Sequence, residues 1–207
     1  YMIYKRMKGT IMETIVQAKR VLEIFKEMSQ IPRESGNEKG ISDYIVNFAK
    51  NLGLEAHQDE ILNVVIKKDA SLGYESRPSI IIQGHIDMVC VKDHASNHDF
   101  SKDPIANIIE GEWMHADHTT LGADNGMGAA MMLALLEDES QQHGPMQLLF
   151  TTNEETGMDG AFAIKEGQVT GDYLLNLDTE VEHDFTVSCA GGCHVHVNIP
   201  LLRDNNQ

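Results

Sequence analysis

Three apolar runs in this 207-residue chain end in residues that bind metals or move protons. They are Ile80-Ile81-Ile82-Gln83-Gly84-His85-Ile86-Asp87, Leu148-Leu149-Phe150-Thr151-Thr152-Asn153-Glu154-Glu155, and Leu174-Leu175-Asn176-Leu177-Asp178. A fourth acid, Asp124, sits in Thr120-Leu121-Gly122-Ala123-Asp124-Asn125-Gly126, just before an apolar helical stretch. One imidazole among several carboxylates suits zinc, cobalt or manganese, whereas oxygen ligands alone favour magnesium or calcium. A central carboxylate can bridge two ions about 3.5–4 Å apart, as in two-metal hydrolases; Asp124, at the head of its helix, is the candidate. At a strand end, one of two neighbouring acids can ligate while the other moves protons; Glu154 fits the second role. His85 and Asp87, two apart on an extended segment, share a face, so Asp87 can reach the second imidazole nitrogen and fix its tautomer.

Each piece alone is commonplace, since His-x-Asp occurs in many loops and Glu-Glu is usually solvated surface. What carries weight is their arrangement at three strand ends and one helix start. Short apolar runs of this kind read as buried parallel strands, and open α/β sheets bind ligands in the crevice outside the carboxyl ends of their strands.

The elements that must position these residues follow from periodicity. Ile11, Ile15, Ala18, Leu22 and Phe25 share a helical face that stops before Pro32. Ser35 with Glu38 reads as a capping box for a second helix bearing Ile41, Tyr44, Ile45, Phe48 and Leu52 and ending at Gly53. Residues 54–57 and 63–67 read as a strand pair leading into the Ile80 strand. Residues 91–117 read as a long irregular loop anchored by Trp113, of the kind that is often functional. Met127, Ala130, Met131, Ala134 and Leu135 predict a helix buried on most sides, its methionines serving as packing. Strands at 146–152 and 173–178, joined by a short helical connector over 161–166, complete an alternation that predicts an α/β fold with a mixed, largely parallel sheet flanked by helices. Two last strands are expected from Phe185–Ala190 and from Cys193, Val195, Val197 and Ile199, with a domain boundary near Gly191-Gly192.

Composition narrows the function classes. A formal net charge of −16 argues against nucleic acid or an anionic membrane as partner, because both attract basic surfaces. No apolar stretch approaches a membrane span, and the basic first eight residues lack the apolar core of a signal peptide, so a cytoplasmic location is expected. Cys90, Cys189 and Cys193 form neither a disulfide framework nor paired metal hooks, and read as reduced thiols.

Four segments together closely resemble the aminoacyl-histidine (Xaa-His) dipeptidases, members of the co-catalytic di-zinc exopeptidases. These are Gly84–Val89, Thr119–Gly126, Glu154–Phe162 and Asn176–Glu180. The resemblance extends to His98–Ile105 and Gly111-Glu112-Trp113, and runs from about Thr10 to Gly192. It implies two zinc ions, with His85 and Asp178 on one, Glu155 on the other and Asp124 bridging them. Glu154 would be the catalytic base, Asp87 the orienting acid, and the Asp124–Asn125 peptide bond cis. The implied activity is hydrolysis of small dipeptides, carnosine-like Xaa-His being the expected substrates.

The chain also departs from that family. Members are more than twice as long: a lid and dimerisation domain interrupts the catalytic domain, which then resumes to supply a last histidine ligand. The expectation is therefore the N-terminal part of a catalytic domain over 10–190 and the start of the lid over 191–207, weak or inactive alone, from a parent that forms a homodimer through the lid. A lid histidine in a Gly-Gly-His-Ser-Gly-like motif is missing as well, and Gly191-Gly192-Cys193-His194 sits too early to replace it; His194 and His196, alternating along an edge-like strand, read as surface residues rather than metal ligands. An amidase or deacetylase on the same scaffold, or a catalytically dead metal-binding module, are the alternatives the residues leave open.

Overall fold

The computed structural model describes residues 11–179, 181, 184–188, 191 and 195–200. Helix α1 (Ile11–Ser29) and helix α2 (Lys39–Asn51) are followed by β1 (Glu55–Gln58), β2 (Val64–Lys68) and β3 (Ile80–His85). A hairpin, β4 (Asn107–Glu110) and β5 (Trp113–Ala116), precedes α3 (Ala123–Glu137). Then come β6 (Met146–Thr151), the short helices α4 (Glu154–Gly157) and α5 (Asp159–Phe162), and β7 (Tyr173–Asn176).

Five strands form one sheet in the order β1-β2-β6-β3-β7. β3 runs parallel to both β6 and β7, while β1–β2 and β2–β6 are antiparallel. The sheet is thus mixed, with a parallel centre, as the alternation of elements predicts. Because β6 and β7 lie on opposite sides of β3, the chain reverses its direction of travel across the sheet there. At such a reversal, open α/β sheets place their ligand sites outside the carboxyl ends of the parallel strands.

Strand alternation sorts the core. Ile66, Ile82, Leu148 and Phe150 face the helices and pack with Ile24, Phe25 and Met28 of α1, Ile41 and Ile45 of α2, and Met132 and Leu133 of α3. Val65, Ile81 and Leu149 point the other way, under Ile164 and Val169 of the connection into β7. Helix α3 is buried along most of its length, with Asp124 and Met131 its exposed positions.

Several expectations need correction. Ser35 and Glu38 form no capping box: α2 starts at Glu38 without a side-chain cap, because both side chains reach toward the site instead. Residues 91–117 are not wholly irregular, since the alternating Asn107–Glu110 and Trp113–Ala116 pair around Gly111. Trp113 is no anchor, being 42% exposed; Ile105 and Ala116 are buried beneath the loop with Met88. The helical connector begins earlier, at Glu154, and breaks at Met158. Residues 184–188 and 195–200 form no strands; Phe185, Val187, Val195, Val197 and Ile199 are exposed, and an alternating segment that pairs with no neighbour is not held as a strand. Ile11 and Ile15 side chains, Cys189, Cys193, His183, His194 and most of the boundary near Gly191-Gly192 lie outside the described residues. No helix among the described residues is long and apolar enough to cross a membrane.

Candidate metal centre

His85 closes β3 and is fully buried, its register partner on β6 being Thr151. Gly84 before it is a close-approach position, where any Cβ would collide with the Asn125 side chain. Asn125 in turn donates from Nδ2 to the Leu177 carbonyl at 3.1 Å, tying the start of α3 to the exit of β7. The residues flanking that link are Asp124 and Asp178. The Asp124–Asn125 peptide bond is cis, as the family resemblance implies.

The structure brings the six predicted site residues together at the carboxyl ends of β3, β6 and β7. His85 Nε2 lies 3.1 Å from Asp124 Oδ1, 3.8 Å from Asp178 Oδ2 and 3.9 Å from Glu154 Oε2. His85, Asp124 and Glu155 each offer a donor atom within 4.8 Å of the others, and so do His85, Glu154 and Asp178. Glu154 therefore stands as near to the imidazole as Asp178 does, and distance alone does not separate its role from that of a ligand.

Asp87 organises the opposite side of the imidazole. Its Oδ1 is 3.3 Å from His85 Nδ1, an ion-pair contact without hydrogen-bond geometry. Ser35 Oγ donates to Asp87 Oδ2 at 2.7 Å, and the backbone N–H groups of Glu154 and Glu155 donate to its two oxygens at 3.1 and 3.2 Å. A single buried carboxylate thus orients the histidine and fixes the turn that carries both glutamates. The turn itself is made by Asn153, which takes a left-handed φ of 51° that asparagine tolerates better than most residues. Its N–H is held by Glu38 Oε1 at 3.0 Å.

Electrostatics agree with the geometry. Burial opposes a charged His85, but Asp87 beside it, with Asp178 and Asp124, outweighs burial and lifts its pKa to about 9. Burial also opposes a charged Asp87, yet His85, Ser35 and the two N–H groups hold it down at about 2. Glu154, Glu155 and Asp178 are all pushed up, first by burial and then by neighbouring acids, with His85 pulling the other way. Carboxylates that raise one another's affinity for protons, gathered round one imidazole nitrogen, are a donor set suited to divalent cations.

The other histidines form no such group among the described residues. His118 pairs with Asp93 at 2.6 Å on the surface, and His115 lies in β5. Sequence reasoning missed the α1–α2 loop, from which Ser35 and Glu38 support the site; their helix-cap pattern concealed that role.

Residues 81–200 match the model of peptidase family M20/M25/M40. Over 182 residues the chain is 43% identical to the cytosol non-specific dipeptidase of Escherichia coli, covering 88% of this chain and 38% of that protein. The crystal structure of an aminoacylhistidine dipeptidase from Vibrio alginolyticus superposes with a TM-score of 0.77 at 44% identity, over 79% of this chain and 33% of that one. A tripeptidase from Staphylococcus aureus superposes with a TM-score of 0.67 at 26% identity, over 79% and 44% respectively. The chain therefore spans well under half the length of these relatives.

Proposed function

This chain belongs to peptidase family M20/M25/M40, and from that premise we propose that, completed by the further length its relatives carry, it forms a metal-dependent dipeptidase with Xaa-His dipeptides as preferred substrates. The observation that carries the reading is the meeting of His85, Asp124, Glu155 and Asp178 with a further acid, Glu154, at one end of the sheet. The names of the relatives, a non-specific dipeptidase and an aminoacylhistidine dipeptidase, support the substrate class.

In this reading His85 and Asp178 would hold one zinc ion and Glu155 a second, with Asp124 available to both. Two divalent cations held there supply polarisation of the scissile carbonyl and of the attacking water. Glu154 takes the proton from that water and delivers it to the departing amine, so no covalent enzyme intermediate is needed. Asp87 keeps the His85 Nε2 lone pair turned toward the cluster by holding the other ring nitrogen. A homodimer formed through a lid domain belongs to the same proposal on the family resemblance, and a cytosolic location on the name of the E. coli relative.

The test is an assay of the full-length protein, stripped with a chelator and reloaded with zinc, on a carnosine-like dipeptide and on matched dipeptides without histidine. Zinc should restore turnover, with the Xaa-His substrate fastest. Equal rates on all dipeptides would remove the histidine preference, and no dipeptide hydrolysis at all would overturn the reading.

A further inference from the structure

The α1–α2 loop carries a buried cation that the proposed reaction does not use. Arg33 is 2% exposed, and its guanidinium donates to the carbonyl oxygens of Ile86 at 3.1 Å, Asp87 at 3.0 Å and Gly122. The first two belong to the exit of β3, immediately after His85. The third precedes Asp124 by two residues.

The glycines around Asp124 make room for this group. A Cβ on Gly126 would stand 2.6 Å from Arg33 Nη2 and 3.2 Å from its Cζ, and one on Gly122 would also collide with Nη2. The segment Gly122–Gly126 is thus wrapped over the guanidinium, with Asp124 at the crest. The planar, rigid fork of arginine can serve several acceptors in fixed directions, whereas an ammonium is a point donor on a flexible stem. The fork ties together two segments that otherwise belong to different elements.

We infer that Arg33 is a positioning residue: seated in the hollow left by Gly122 and Gly126, it sets the spacing between the His85–Asp87 segment and Asp124, and so the affinity of the cluster for its cations. The inference rests on the metal-site reading above. Groups that orient ligands without touching the metal typically change affinity or activity about 10–100-fold when replaced.

Two substitutions test it in the full-length protein, with zinc affinity as the primary readout and kcat against KM as the second. Arg33→Lys keeps the charge and loses the fork; Gly126→Ala keeps every donor and crowds the fork first, with Phe25 Cε2 next at 3.0 Å. Each should weaken zinc binding about tenfold or more and lower kcat with little change in KM. Leu136→Ala, a core change in α3 remote from the cluster, supplies a control that loses thermal stability but keeps zinc affinity. Wild-type zinc affinity in either folded variant, or an equal loss in Leu136→Ala, would overturn the inference. If Arg33→Lys does not fold, Gly126→Ala decides. A wild-type protein that binds no zinc would sink the dipeptidase reading itself, and this inference with it.

Discussion

On the helix-covered face of the sheet, Phe150, Leu148, Ile66 and Ile82 are buried against three helices, whereas at the opposite edge β7 leaves Leu174 60% exposed and Tyr173 65% exposed. The donor cluster sits on the border between these regions. His85 and Asp87 enter it from the packed side, fully buried, while Asp178 enters from the bare strand and Asp124 stands largely in solvent. The contrast separates two tasks. The packed side fixes where the imidazole points, and the open side leaves carboxylates accessible to cations and substrate.

The comparison can be broken or sharpened by substitution. Phe150→Ala, in the driest part of the core, should cost about 3–5 kcal/mol in urea unfolding; a loss below 1 kcal/mol would mean that the helix face is not the main source of stability. At the border, Glu154→Gln should lower kcat of the full-length protein about 10²–10⁴-fold. Its zinc content and unfolding midpoint should stay within error of wild type if Glu154 moves protons as proposed rather than ligating or packing; unchanged turnover would assign the proton transfer elsewhere. Ser35→Ala removes one hydrogen bond to a buried carboxylate and should cost about 1.5–3 kcal/mol of stability, with a slower kcat as His85 loses its fixed setting. Loss of stability with an unaltered rate would show that Asp87 needs no help from the loop. Smallest of all, Leu174→Ala in the 207-residue chain should change stability by no more than about 0.5 kcal/mol. A much larger loss for the same change in the full-length protein would reveal that additional chain covers this edge.

The parts of the site that could be read from the sequence share a physical cause. His85, Glu154, Glu155 and Asp178 follow apolar runs, and a buried parallel strand must end where such a run ends, so their common location was legible without coordinates. Asp124 was legible for the mirror reason, as the residue that opens an apolar helix. The supporting loop was not. Ser35 and Glu38 have the spacing of a local helix cap, and only the folded chain offers the competing partners Asp87 and Asn153 that draw them away. Arg33 was equally silent, because an arginine after Ile-Pro carries no periodic signal and its acceptors are backbone carbonyls far along the chain. The β4–β5 hairpin was hidden by its polar surroundings, and Trp113 was overweighted because large aromatic residues usually anchor loops, which this one does not. At the C-terminal end, alternation predicted strands over 185–190 and 193–199; a pattern states which face a strand would bury, not whether a neighbour exists to complete it.

The parallel register of β3 between β6 and β7 has a thermodynamic consequence. His85, Asp124, Glu155 and Asp178 are scattered widely along the chain; the pairing of Ile80–His85 with Met146–Thr151 and of Ile80–Gln83 with Tyr173–Asn176 brings the first, third and fourth together, and the Asn125–Leu177 hydrogen bond adds Asp124. An unfolded chain offers no comparable site, so under the proposed metal reading the free energy of ion capture would add directly to the free energy of closing the sheet. Supply of the ion and completion of the strand order would then be linked equilibria, in which scarcity of one is felt as incompleteness of the other.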